Sequence, residues 1–150
     1  MLSHPVLIFV IRIFLGALFI VASIDKIMSP EAFAVSIQNY KIINGNIALL
    51  VATILPPLEL LTGACLILGI YPKTSSLLIT SMLAIFTLLV ITALIRGLDI
   101  SCGCFTQDPN ASKIGLQKIA DNIGLIILGI WVTLHPAGEI SILRIIRKTS

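Results

Sequence analysis

The chain is 150 residues long, with 57% hydrophobic and 11% charged residues, a net charge of +3 and a mean hydropathy of +1.09. A soluble domain of that size needs polar cover and carries about 25% charged residues, so a soluble globular enzyme, a disordered chain and a disulfide-rich secreted scaffold are excluded. The Lys and Arg residues are scattered without a basic stripe, which argues against any nucleic-acid partner and leaves the lipid bilayer as the first partner to consider.

Taken in chain order, four apolar stretches reach the roughly 20 residues that a bilayer-spanning helix requires: residues 5–24, 47–70, 75–95 and 118–134. They are continuously apolar rather than alternating, so β-barrel strands are excluded and helix is the remaining way to satisfy the backbone in lipid. The expected fold class is therefore an all-α membrane protein, with residues 1–150 forming one four-transmembrane-helix domain. A cleaved signal peptide ending at Val21-Ala22-Ser23 is disfavoured, because no Lys or Arg precedes the apolar core and Arg12 lies within it.

After the first span, Ser29-Pro30-Glu31 has the pattern of a helix start: a cap, a proline in the first turn and an acid behind it. Phe33, Ile37 and Tyr40 follow at helical spacing, which predicts a short interfacial helix ending at Asn44-Gly45. In the second span Pro56-Pro57 removes two backbone donors and predicts a kink. Small residues at Ser76/Thr80/Ala84 and Ala120/Gly124 have the spacing that lets helices approach closely, although such residues are common in membranes anyway. A homo-oligomer is compatible with the sequence.

With four spans both termini lie on one side. That side holds Lys73, Arg144, Arg147 and Lys148; the other holds Lys26, Lys41, Arg96, Lys113 and Lys118, so the charge count nearly ties. The tail over residues 139–148 resembles a short interfacial helix suited to an anionic inner leaflet, which favours cytoplasmic termini in a bacterial inner membrane.

Three cysteines are present. Cys65 lies alone inside a span and reads as a small apolar residue. Cys102 and Cys104 form Cys-Gly-Cys before the fourth span, where Gly103 lets the backbone bend so that the sulfurs can meet. A Cys102–Cys104 disulfide would close a very small ring, and strained disulfides are the readily exchanged ones. Nearby Lys and Arg favour the attacking thiolate. The expected catalytic pair is thus Cys102 and Cys104, with a structural staple as the alternative. A metal site is the weaker alternative, because His4 and His135 both fall at the opposite face and tetrahedral zinc needs two further ligands; no metal is expected. The Asn110-Ala111-Ser112 sequon reads better as part of a turn.

Charges inside spans mark sites by default. Counting ~1.5 Å per residue puts Arg12 about 9 Å and Glu59 about 16 Å from the same face, so the two are expected to interact in the bundle interior. Lys26 and Asp121 complete the expected intramembrane polar site, with interfacial anchoring as their alternative. Such a pair either fixes helix register or lines a polar cavity for a proton path or a quinone cofactor. A small-solute transporter is a minor alternative, since inverted repeats are lacking.

The chain resembles the DoxX-like membrane family, and within it the methylamine-utilisation MauE type. The resemblance is carried by Arg12, Leu15-Gly16, Phe19 and Lys26, then by Pro30, Phe33, Asn39-Tyr40, Pro57, Glu59 and Gly63, and most specifically by Arg96-Gly97 with Cys102-Gly103-Cys104-Phe105. Thr106 departs from the family's usual glycine. The resemblance implies a four-helix inner-membrane protein linked to thiol–disulfide chemistry, with a periplasmic dithiol or thioredoxin-like partner and a role in disulfide maturation. A non-catalytic assembly subunit is the competing expectation.

Overall fold

The computed structural model describes residues 5–98 and 115–135. Its regular elements are all helical: α1 (Pro5–Met28), α2 (Pro30–Asn39), α3 (Gly45–Leu68), α4 (Pro72–Ile95) and α5 (Leu116–Leu134). Four of them, α1, α3, α4 and α5, are long and apolar enough to cross a membrane. The Cys102-Gly103-Cys104 connection, His4 and the tail over residues 139–148 lie outside the described residues.

Large apolar side chains such as Val10, Phe14, Val21, Leu61, Ile85 and Leu88 face outward, while Arg12, Lys26, Glu59, Ser76, Thr87 and Asn122 are buried. That is the distribution a bundle needs when its solvent is hydrocarbon, because polar groups find partners only inside. α1 packs chiefly on α3, α4 on α5, and α2 on α3. Leu15, Phe19, Leu66, Ile79, Leu83 and Val132 form the main core, and Phe33, Ala34 and Ala52 seat α2.

Gly16 and Gly63 are where α1 and α3 meet. A Cβ on Gly16 would lie 2.8 Å from the Gly63 carbonyl oxygen, and one on Gly63 would lie 3.0 Å from the Gly16 oxygen. Only hydrogen at both positions lets the backbones touch. Across the α4–α5 contact, the Ser76 hydroxyl donates to the Gly129 carbonyl at 2.8 Å and lies 2.9 Å from the Thr133 hydroxyl. Both pairs run antiparallel. The end of α1, α2, the start of α3, the end of α4 and the start of α5 therefore share one end of the bundle.

Boundaries differ from the sequence expectation at informative places. α1 continues past Ile24 to Met28, carrying Asp25 and Lys26 inside the helix. α2 stops at Asn39 rather than Asn44-Gly45, because Lys41 adopts a left-handed backbone (φ 53°) that ends the helix; Asn44 then serves as the residue preceding α3. Ser29 and Pro30 do open α2, though the Ser29 side chain makes no cap bond. α3 runs through Pro56 and Pro57 as one helix. At the other end of α4, Gly97 (φ 66°) takes the left-handed turn and the Leu98 N–H bonds back to the Ala93 carbonyl at 3.0 Å, closing the helix as glycine-terminated helices do.

Candidate functional site: a buried charge pair beside an orphan amide

Glu59 projects from the middle of α3 into the bundle, and Lys26 reaches it from the last turn of α1. Lys26 Nζ donates to Glu59 Oε1 at 2.9 Å and to Oε2 at 2.8 Å, and both side chains are 2% exposed. A lysine this near a helix end would ordinarily extend its ammonium toward water. Here it turns inward because two aromatic faces and a carboxylate wait there: Nζ lies 5.0 Å from the Phe33 ring centroid and 5.1 Å from that of Phe86. The rings themselves sit 6.5 Å apart, so α2 and α4 each supply one wall. Attraction to the aromatic faces supplements the ion pair.

α5 contributes Asn122, which is 1% exposed. Its Nδ2 has no hydrogen-bond partner among the described residues. Between Asn122 and the ion pair is a small cavity lined by Phe19, Ala22, Lys26, Glu59, Leu83, Phe86 and Asn122, with space of about 10 Å³ for the centre of a water-sized sphere. All four spanning helices border it.

Arg12 lies elsewhere. Its Nε and Nη2 donate to the Leu66 carbonyl at 3.3 and 2.9 Å. Leu66 is in the last turn of α3, where carbonyls run out of intrahelical donors; the Ile70 N–H goes instead to Cys65 at 3.0 Å. A guanidinium there both satisfies the carbonyl and meets the negative end of the helix dipole. The expected Arg12–Glu59 contact is thus replaced by Lys26–Glu59, with Arg12 about 21 Å from Lys26 along α1 at ~1.5 Å per residue. Asp121 is exposed on α5, about 100° around the helix from its neighbour Asn122, and is not among the residues that line the cavity. Of the expected polar set, Lys26 and Glu59 meet, while Arg12 and Asp121 stand apart. Among the described residues no group of His, Cys, Asp and Glu could hold a metal ion.

The bundle end that leads into residue 99 is itself tied down. The Arg96 Nη1 donates to the Tyr40 carbonyl at 3.0 Å, joining the end of α4 to the end of α2. Tyr40 packs against Val90 and Ala93, and burial pushes its phenol up to about 12. Cys65, on α3, is half-buried and is a free thiol.

Comparison with known proteins gives one consistent answer. Three curated relatives carry the name methylamine utilization protein MauE: one from Paracoccus denitrificans, 27% identical over 69% of this chain and 56% of its own length; one from Paracoccus versutus, 30% identical over 81% and 65%; and one from Methylophilus methylotrophus, 25% identical over 91% and 72%. The chain therefore spans between about half and three quarters of the relatives it matches. No solved structure matches it. The family model described as methylamine utilisation protein MauE matches residues 4–135, which takes in the charge pair, the cysteine connection and the Arg12 cap together, and the chain belongs to that family.

Proposed function

We propose that this chain is a multi-pass protein of a bacterial inner membrane, with cytoplasmic termini, that serves methylamine utilisation by thiol–disulfide exchange through Cys102 and Cys104. The partner is a periplasmic dithiol or thioredoxin-like protein, and kinship with the broader DoxX-like group belongs to the same reading. The observation that carries it is Cys102-Gly103-Cys104 in the stretch of sequence between α4 and α5. A pair of thiols one residue apart has little use as packing and much use in exchange.

The step balances without further reagents. A partner thiolate attacks one sulfur of the Cys102–Cys104 disulfide, the second sulfur leaves as thiolate and takes a proton, and the partner's other thiolate resolves the mixed disulfide. The partner is oxidised by two electrons and the Cys pair is reduced by two. The exchange runs the other way when the partner's couple is the more oxidising. Return of the Cys pair to its starting state uses a quinone or a second dithiol protein as electron carrier.

Thiol trapping in cells tests this. Cys104→Ser and Cys102→Ser variants are each expected to change the partner's disulfide status, and one of them to accumulate a mixed disulfide. If neither replacement changes any partner's oxidation state, and the Cys102–Cys104 bond resists mild reductant, the pair is a staple and the protein an assembly subunit.

A further inference from the structure

The polar groups around the central cavity do not balance as they stand. Glu59 accepts one hydrogen bond at each carboxylate oxygen, both from Lys26, whereas an ionised carboxylate has room for about four. Asn122 brings two N–H donors, and its Nδ2 is without a partner among the described residues. Unused acceptor capacity and unused donors therefore border the same cavity. The remaining walls are hydrocarbon: Phe19, Ala22, Leu83 and Phe86. Leaving a buried amide unpaired costs about 1–3 kcal/mol, and nothing in lipid can substitute for the missing partner.

We infer that this cavity is a binding site for a single water molecule, which accepts a hydrogen bond from Asn122 Nδ2 and donates to the Glu59 carboxylate. Only a group that both accepts and donates satisfies Asn122 and Glu59 together, and water does both. The size agrees, since about 10 Å³ for sphere centres is close to the smallest space that holds one water. A carbonyl-bearing molecule from the bilayer could satisfy Asn122 but would offer nothing to Glu59, and its carbon frame would not fit. The inference stands independently of the cysteine chemistry. Its structural result is a polar bridge from α5, the helix that follows the cysteine connection, to the charge pair held by α1 and α3. Asn122 is a positioning residue in this arrangement.

The test is water-edited solid-state NMR on the full chain in bilayers. Asn122 is the sole Asn preceded by Asp, so labelling with carbonyl-¹³C Asp and uniformly ¹³C,¹⁵N Asn selects its backbone amide, and the labelled Asn carbons carry the assignment on to Nδ2 without any variant. Polarisation transferred from water protons is expected to reach Asn122 Nδ2 in the unmodified protein. Ala22 lines the cavity, and Ala22→Val is expected to fill it and abolish the transfer. Transfer to Nδ2 arising solely from side-chain or acyl-chain protons overturns the inference, as does transfer that appears only when a bilayer-soluble carbonyl compound is added. A transfer that persists unchanged in a folded Ala22→Val protein also overturns it, by placing the water elsewhere. Should Ala22→Val fail to fold, the measurement on the unmodified chain decides alone.

Discussion

Glu59→Gln is the sharpest perturbation of the buried pair. At the 2.8 Å separation of Lys26 Nζ and Glu59 Oε2, the attraction between unit charges is about 6 kcal/mol at an effective dielectric constant near 20. Removing two ions from water costs several kcal/mol each, so the net worth of the pair is small even though neither partner can be dispensed with alone. Glu59→Gln takes the counter-charge from a buried ammonium, which is left with a neutral amide oxygen and the Phe33 and Phe86 faces. Those faces lie 5.0 and 5.1 Å from Nζ and offset about 1–2 kcal/mol of the loss. The expected destabilisation is about 3–5 kcal/mol. Replacing both partners, Lys26→Met with Glu59→Leu, removes the uncompensated charge and is expected to fall within about 2 kcal/mol of the unmodified protein. Reversible unfolding of the full chain in bicelles, read for both single variants and the double variant, measures the coupling. A Glu59→Gln protein within about 1 kcal/mol of the original, or a double variant that merely sums the singles, refutes the argument. A folded Glu59→Gln protein that has lost thiol exchange would instead give the carboxylate a part in the chemistry.

Two further outcomes follow from the geometry. Gly63→Ala is expected to force α1 and α3 apart and cost about 1–3 kcal/mol, because its Cβ would lie 3.0 Å from the Gly16 oxygen, whereas Gly124→Ala, with nothing within 4 Å, is expected to be neutral or up to about 1 kcal/mol stabilising in the same unfolding assay. In a Tyr71→Phe background, where Tyr40 is the one remaining tyrosine, the phenolate absorbance is expected near pH 12 rather than 10. Since burial favours the neutral phenol, its contribution to stability is fully present below about pH 10 and is lost as pH rises through 12, so alkaline unfolding is expected to accompany the spectral change.

The spanning helices were legible because a run of some 20 aliphatic residues has few other uses. What the sequence obscured was side-chain direction. Lys26 stands two residues from the end of α1, the usual place for an interfacial anchor, and linear counting of depth paired Glu59 with Arg12 instead. Counting measures the height of Cα atoms; it misses that Lys26 bends inward to an aromatic pocket and that Arg12 finds a helix-terminal carbonyl. Asn122 carries no formal charge to mark it in the sequence, whereas the adjacent Asp121 does. The sequence does carry a spacing signal, since Asn122 and Gly129 are seven residues apart, two turns along one face, and the structure buries both.

The placement of the charges also bears on biosynthesis. Arg12 and Lys26 emerge from the ribosome before α3, on a helix whose one acid, Asp25, stands beside Lys26, and both are then answered by α3, through the Leu66 carbonyl and Glu59. Until α3 is made, neither cation has the α3 partner that it meets in the folded bundle. The α1–α3 contacts that bury both cations therefore form only after residue 66 has been translated.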